Sequence, residues 1–243
     1  MDKISQKDID WLLNMDKSGT APAASPTGSP PKKKNTGFRI MFGLLMIIGL
    51  VILPFFLLVR TSVLLNLSYG WNGWLSLGGG VFVTVLLLLF YILFLFRRIE
   101  NKKMLLKFSL GGVGALVFAF CFYGVMYLSS VNAKSNDIRE VYRSMHPILR
   151  VAIATTTLAD NDLVITDIQR QPEDYAAMGL PLNQRSLHYT QETGYVHAID
   201  LRTIGRNEFR NILLRGSLEI MGLNTIRHTG TADHLHVSLP LTE

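Results

Sequence analysis

The sequence predicts a membrane protein with three transmembrane helices followed by an α+β domain, a small antiparallel sheet plus helices. Three observations predict it. Of the 243 residues 49% are hydrophobic, and the mean hydropathy is +0.27, high for a protein that keeps only its core out of water. The apolar residues are concentrated in three uncharged runs, 40–59, 75–96 and 108–128, each of the roughly 20 residues that a helix needs to cross about 30 Å of hydrocarbon. Beyond residue 133 the pattern changes to short alternating segments and two helical stretches, the mark of a water-facing domain.

The first run lies far from the amino terminus, is too long for the apolar region of a signal peptide and is followed by two further spans, so it reads as a retained helix. Charge supplies the orientation. Residues 1–133 hold 13 Lys/Arg against 5 Asp/Glu, and residues 134–243 hold 11 against 13. The basic excess therefore belongs to the membrane half, and nucleic acid is not an expected partner; the bilayer is. Lys32, Lys33, Lys34 and Arg39 precede the first span, and Arg97, Arg98, Lys102, Lys103 and Lys107 fill the connection between the second and third. The connection between the first and second carries only Arg60, with Tyr69, Trp71 and Trp74 suited to an interfacial belt. Because cytoplasmic flanks collect Lys and Arg, the expected arrangement is amino terminus inside, three crossings, carboxyl domain outside the cytoplasmic membrane. The one cysteine, Cys121, falls in the third span, so no disulfide is expected in the exported domain.

Ahead of the spans, residues 18–39 open with SGTAPAASPTGSPPKKKNT, a composition without an apolar period, and read as a disordered, Pro/Ser-rich basic linker. Residues 1–17 read as a cytoplasmic peptide in which Ile4, Ile9, Leu12 and Leu13 form one face of a short helix, with Ser5 as N-cap. So short a helix is marginal alone and is expected to form against a partner. SQKDIDWLL resembles the amino-terminal peptide of flagellar motor switch proteins, which implies a cytoplasmic partner for residues 4–13 of the response-regulator kind.

In the domain over 133–243, residues 136–149 read as a helix with Ile138, Val141, Tyr142 and Met145 on one side. DLVITDIQ reads as a strand, YVHAIDL as a second, 207–221 as a helix closed by Gly222, and HLHVSL as a third strand. All six histidines, His146, His188, His197, His228, His234 and His236, fall in this domain. Histidine with carboxylate is the usual donor set of a catalytic zinc, which keeps three protein ligands and one open position.

Three segments together resemble the zinc D-alanyl-D-alanine carboxypeptidase and hedgehog-type metallopeptidase family, which cleaves peptide stems of peptidoglycan. ITDIQRQPE, residues 165–173, keeps Ile165, Thr166, Arg170, Pro172 and Glu173 of the family's first motif, with Asp167-Ile168-Gln169 where the family has Ser-Gly-Tyr. SLHYTQETGYVHAID, residues 186–200, keeps Ser186, His188, Ala198 and Asp200 of the second, and DHLH supplies Asp233 and His236 of the third. The resemblance implies a hedgehog/D-Ala-D-Ala peptidase-like fold, zinc as cofactor, and His188, Asp200 and His236 as ligands. It further implies Asp233 as general base, and Arg170 as the cation for a substrate carbonyl or carboxylate. Five residues more than the family carries separate His188 from Asp200. They make His197 a rival ligand, although its odd separation from Asp200 argues for the opposite face of a strand. His234 shares a face with His236 and is a neighbour rather than a ligand under the resemblance.

The function so implied is that of a membrane-anchored zinc peptidase acting on peptidoglycan stems or cross-links, with carboxypeptidase and endopeptidase action both open. Two other readings compete: a zinc-containing but inert module that grips the cell wall, and a flagellar or chemotaxis-associated membrane protein whose cytoplasmic peptide recruits a partner.

Overall fold

The structure is a computed structural model that describes residues 6, 7, 9, 10, 36–177, 179, 181–230 and 232–241. It divides into two units, Met1–Leu44 and Leu45–Glu243. In the first, Gln6, Lys7, Ile9 and Asp10 are helical and exposed; the rest of the amphipathic peptide, and the linker up to residue 35, lie outside the described residues.

Three helices are long and apolar enough to cross a membrane: α1 (Thr36–Tyr69), α2 (Gly73–Leu95) and α3 (Lys102–Met126). Their limits depart from the sequence reading most at two ends. The helix α1 runs ten residues past Val59, and α3 begins at Lys102 rather than at residue 108. An uncharged run marks the stretch that tolerates hydrocarbon, whereas backbone hydrogen bonding continues through Arg60 or Lys107 without penalty. What stops α1 is Gly70, at φ 63°, a conformation glycine adopts without a Cβ clash. Asn72 then caps α2 by accepting from the Leu75 N–H at 2.9 Å. The helices α1 and α2 pack through small residues: a Cβ on Gly80 would stand 2.2 Å from Ser62 Oγ, so glycine is needed for this approach.

The expected helix over 136–149 is broken. Residues Asn136–Glu140 form a short helix α4, Val141–Ser144 form a 3-10 turn, and a new helix α5 runs over Pro147–Ala159. Pro147 is the cause: it disfavours helical backbone at His146, which takes φ −54° and ψ 136°, and its own fixed φ suits the first helical position. The continuation VAIATTTLA, with two β-branched clusters, gave no amphipathic signal because α5 is buried nearly all round, from Pro147 to Thr156.

The sheet comprises β1 (Ile165–Asp167), β2 (Ala198–Arg202), β3 (Asn224–His228) and β4 (His234–Ser238), all antiparallel, in the order β1-β2-β4-β3. The strand β3 was not anticipated; NTIRH carries little apolar alternation and pairs as an edge. Two further helices complete the domain: α6 (Pro172–Ala177) and α7 (Glu208–Ile220), the latter capped by Asn207 and closed at Gly222 with φ 96°.

Pleating divides the sheet into two faces. Ile199, Leu201, Leu235 and Val237 are fully buried and join one apolar cluster with Leu214 and Leu218 of α7, Leu149 and Ile153 of α5, and Leu58, Val63, Leu77 and Val125 of the long helices. The core is therefore continuous from the apolar helices to the sheet. Arg150 reinforces the junction: buried in α5, it donates from Nη1 to Val125 O at 2.8 Å, an orphan carbonyl at the end of α3, and lies between the rings of Trp74 and Tyr195. The other face of the sheet carries Asp200, Arg202, His228, His234 and His236 in direct register, Asp200 opposite His236 and Arg202 opposite His234.

Candidate metal centre

Register alone brings Asp200 and His236 together, since directly opposed residues of an antiparallel pair present their side chains on one face. His188 reaches them from a loop. Its backbone carbonyl accepts from Arg170 N–H at 3.1 Å, and the Ser186 hydroxyl that accepts its N–H at 3.3 Å is itself held by Tyr175 at 2.6 Å. The His188 ring is fixed by Nδ1, 2.7 Å from Ile168 O. A carbonyl only accepts, so Nδ1 carries the proton and Nε2 presents its lone pair to the group.

Three atoms then form a near-equilateral triangle. His188 Nε2 lies 3.3 Å from Asp200 Oδ1, His236 Nδ1 lies 2.9 Å from the same oxygen, and the two ring nitrogens are 3.2 Å apart. Ligands at about 2.0–2.1 Å on tetrahedral zinc stand ~3.3 Å from one another, so small adjustments would seat an ion at their centre. Among the described residues, His188, Asp200 and His236 form a group that could hold a metal ion. His188 and Asp200 are buried and His236 is partly accessible, which leaves an approach from one side. A proton on His236 Nδ1 shared with Asp200 is the arrangement without an ion; ligation requires the tautomer protonated at Nε2.

Arg170 lies between two carboxylates. Its Nε donates to Asp167 Oδ2 at 2.6 Å and its Nη2 to Asp200 Oδ2 at 2.5 Å, with the Tyr175 ring beneath the guanidinium. An irregularity in the β1–β2 pairing sets Asp167 opposite Asp200, and the arginine pairs with both carboxylates. One of its donor atoms thus holds Asp200 and another holds Asp167. Burial works to raise the Asp200 carboxyl, but the hydrogen bond from His236 and the charge of Arg170 outweigh it and hold the group well below the usual carboxylate range.

Asp233 is held by Thr203 and Arg227. Oδ1 accepts from Thr203 Oγ1 at 2.6 Å and from Arg227 Nε at 3.0 Å, while Oδ2 accepts from Arg227 Nη2 at 2.8 Å. These hydrogen bonds, from Arg227 first and Thr203 second, lower its carboxyl to about 2, which makes it a weak base in this arrangement. The residue beside the group is His234 instead, with Nε2 3.8 Å from Asp200 Oδ2. Its Nδ1 stands 2.6 Å from Ala232 O and its ring stacks on His228 at 4.9 Å, so Nε2 bears the lone pair.

His197 does not join the group. Its Nε2 lies 2.7 Å from Thr193 Oγ1 and its ring packs on His146 at 4.7 Å, on the side that strand alternation predicts. The residues inserted between His188 and Asp200 fold back on themselves: Thr190 bridges Val196, and Gly194 takes φ 78° in the turn. The excursion ends in Tyr195, whose hydroxyl accepts from Trp74 Nε1 at 3.0 Å.

Arg227 was not singled out from the sequence, Asp167 was named only as a departure from the motif and His228 only as one of six histidines; β3 brings Arg227 and His228 near the site. No protein-family model, no curated protein and no solved structure matches the chain.

Proposed function

We propose that the chain is a membrane-anchored zinc hydrolase whose carboxyl domain lies outside the cytoplasmic membrane and cleaves peptide bonds in peptidoglycan stems or cross-links. The observation that carries the metal part of this reading is the triangle of His188 Nε2, Asp200 Oδ1 and His236 Nδ1. The three motif segments that resemble zinc D-alanyl-D-alanine peptidases support the substrate class, and the Lys/Arg asymmetry between the two ends of the spans supports the side.

A bound zinc ion supplies Lewis acidity and activates water at neutral pH. The chain's own residues do the rest. Ile168 O and the Ser186 loop orient His188; Arg170 holds Asp200 Oδ2 so that Oδ1 faces the two imidazoles. His234 Nε2 is the proton-accepting atom beside the group, and Asp233 acts at a distance by fixing Arg227 and the start of β4. Accessibility only on the His236 side admits an extended peptide along the open face of the sheet.

The test is digestion of purified sacculi by the zinc-loaded full chain in detergent, with the released fragments identified by mass spectrometry. Release of peptide fragments that chelator abolishes is the expected result. Intact sacculi in the presence of stoichiometric zinc would remove the peptidase reading and leave a metal-binding wall module.

A further inference from the structure

The cavity that borders both α1 and the carboxyl domain is unused by the metal centre. It measures about 530 Å³, within the range of roughly 300–1,000 Å³ of small-molecule sites. One wall is Val51, Ile52, Phe55 and Phe56 of α1, and the other includes Leu158 at the end of α5 and Leu213 of α7. Two features set its depth. The uncharged run of α1 ends at Arg60, so 51–56 lie inside the hydrocarbon layer of the leaflet next to the domain. The helix α5 starts with His146 against Gly73, at the head of the bundle, and its 13 residues descend about 20 Å to reach the level of Phe55 and Phe56.

The surface around the mouth is apolar as well. Leu158 and Phe209 are 66% exposed, Ile212 59% and Leu213 55%. Phe209, Ile212 and Leu213 share the outward side of α7 at helical spacing, a patch that a wholly aqueous domain rarely leaves open. It is continuous with the outer surface of α1, where Val51 is 62% exposed. The polar residues at the mouth cancel: Arg206 and Arg210 pair with Asp160, and Arg210 also with Asp162.

We propose that this crevice is a lipid site that holds an acyl chain of a membrane phospholipid, with Leu158, Phe209, Ile212 and Leu213 immersed in the adjoining leaflet. The domain is then seated in the bilayer as well as tethered to it. Because the charges at the mouth balance, recognition is of hydrocarbon and is indifferent to the headgroup. The crevice lies behind the buried face of the sheet, and Asp200 and His236 are on the other, so its loss leaves the metal group in place.

The experiment uses the full chain in vesicles of dioleoylphosphatidylcholine, with Leu213→Trp and, as a second reporter should the first not fold, Leu158→Trp. Emission is read as the difference from the parent. The added tryptophan should lose most of its emission when the vesicle lipid is brominated at mid-chain, and little to aqueous iodide. Leu182→Trp, on an exposed loop, should show the reverse. Replacing the lipid by dioleoylphosphatidylglycerol should change nothing. Quenching by iodide but not by bromolipid would overturn the proposal; so would protection from both, the signature of a second copy covering the patch, or bromolipid quenching confined to the anionic lipid.

Discussion

His236 Nδ1 stands 2.9 Å from Asp200 Oδ1 across a direct pair of β2 and β4, and His188 Nε2 stands 3.3 Å from the same oxygen. Full-length protein should therefore bind close to one zinc per chain by elemental analysis. His188→Ala and His236→Ala should each lose it, whereas His197→Ala should keep it. Metal retained in His236→Ala, or lost in His197→Ala, would show that the group is a hydrogen-bonded triad and that the ion sits elsewhere.

Arg170 and Asp200 form an ion pair in which the carboxylate is nearly inaccessible. Arg170→Ala leaves that charge uncompensated, which costs on the order of 3 kcal/mol. Zinc supplies a replacement charge, so the loss should be large in the metal-free protein and small in the loaded one. Thermal unfolding with and without zinc measures this; an equal loss in both forms would mean that Asp200 does not face the ion.

The two candidates for proton transfer separate by substitution. His234→Gln should keep zinc and lower the hydrolytic rate about 10²–10⁴-fold. Asp233→Asn should keep zinc and most of the activity, because Asp233 is occupied by Arg227 and Thr203. Rates measured on a synthetic stem peptide decide between them, and the opposite ranking would return the base role to Asp233.

His146 is buried against His197 and near Arg150. Burial, then those two neighbours, lower its pKa from 6.5 to about 3, so the folded chain keeps it neutral where the unfolded chain takes up a proton. The stability due to this neutrality is complete above pH 6.5 and is lost as pH falls from there towards 3, by about 1.4 kcal/mol per pH unit for the one proton. His146→Asn should flatten the slope of unfolding free energy against pH in that window. An unchanged slope would show that His146 titrates normally in the fold.

A reporter fused after Glu243 checks the orientation. Alkaline phosphatase should be active there and a cytoplasm-dependent fluorophore dark; the reverse result would exclude any role at the cell wall.

The sequence by itself determined the features that depend on local composition and period. Three apolar runs give three long helices because a chain in hydrocarbon must satisfy its backbone internally. The stretch 207–222 announces α7 by its Asn cap, amphipathic spacing and terminal glycine. HLHVSL and YVHAIDL announce β4 and β2, and with them the candidates Asp200 and His236. Tertiary structure alone decided the rest. That α5 is a separate helix, buried from Pro147 to Thr156, depends on its lodging against α2 and α3, and burial nearly all round weakens the amphipathic signal by which a surface helix is recognised. That Asp233 serves Arg227 depends on β3, an edge strand whose pairing with β4 is non-local and unwritten in NTIRH. The same holds for Arg170, which spans Asp167 and Asp200 only because an irregular β1–β2 register sets two carboxylates side by side. Residue type and spacing name the donors of a site, but which partner each donor meets is a matter of strand order and register, set by long-range packing.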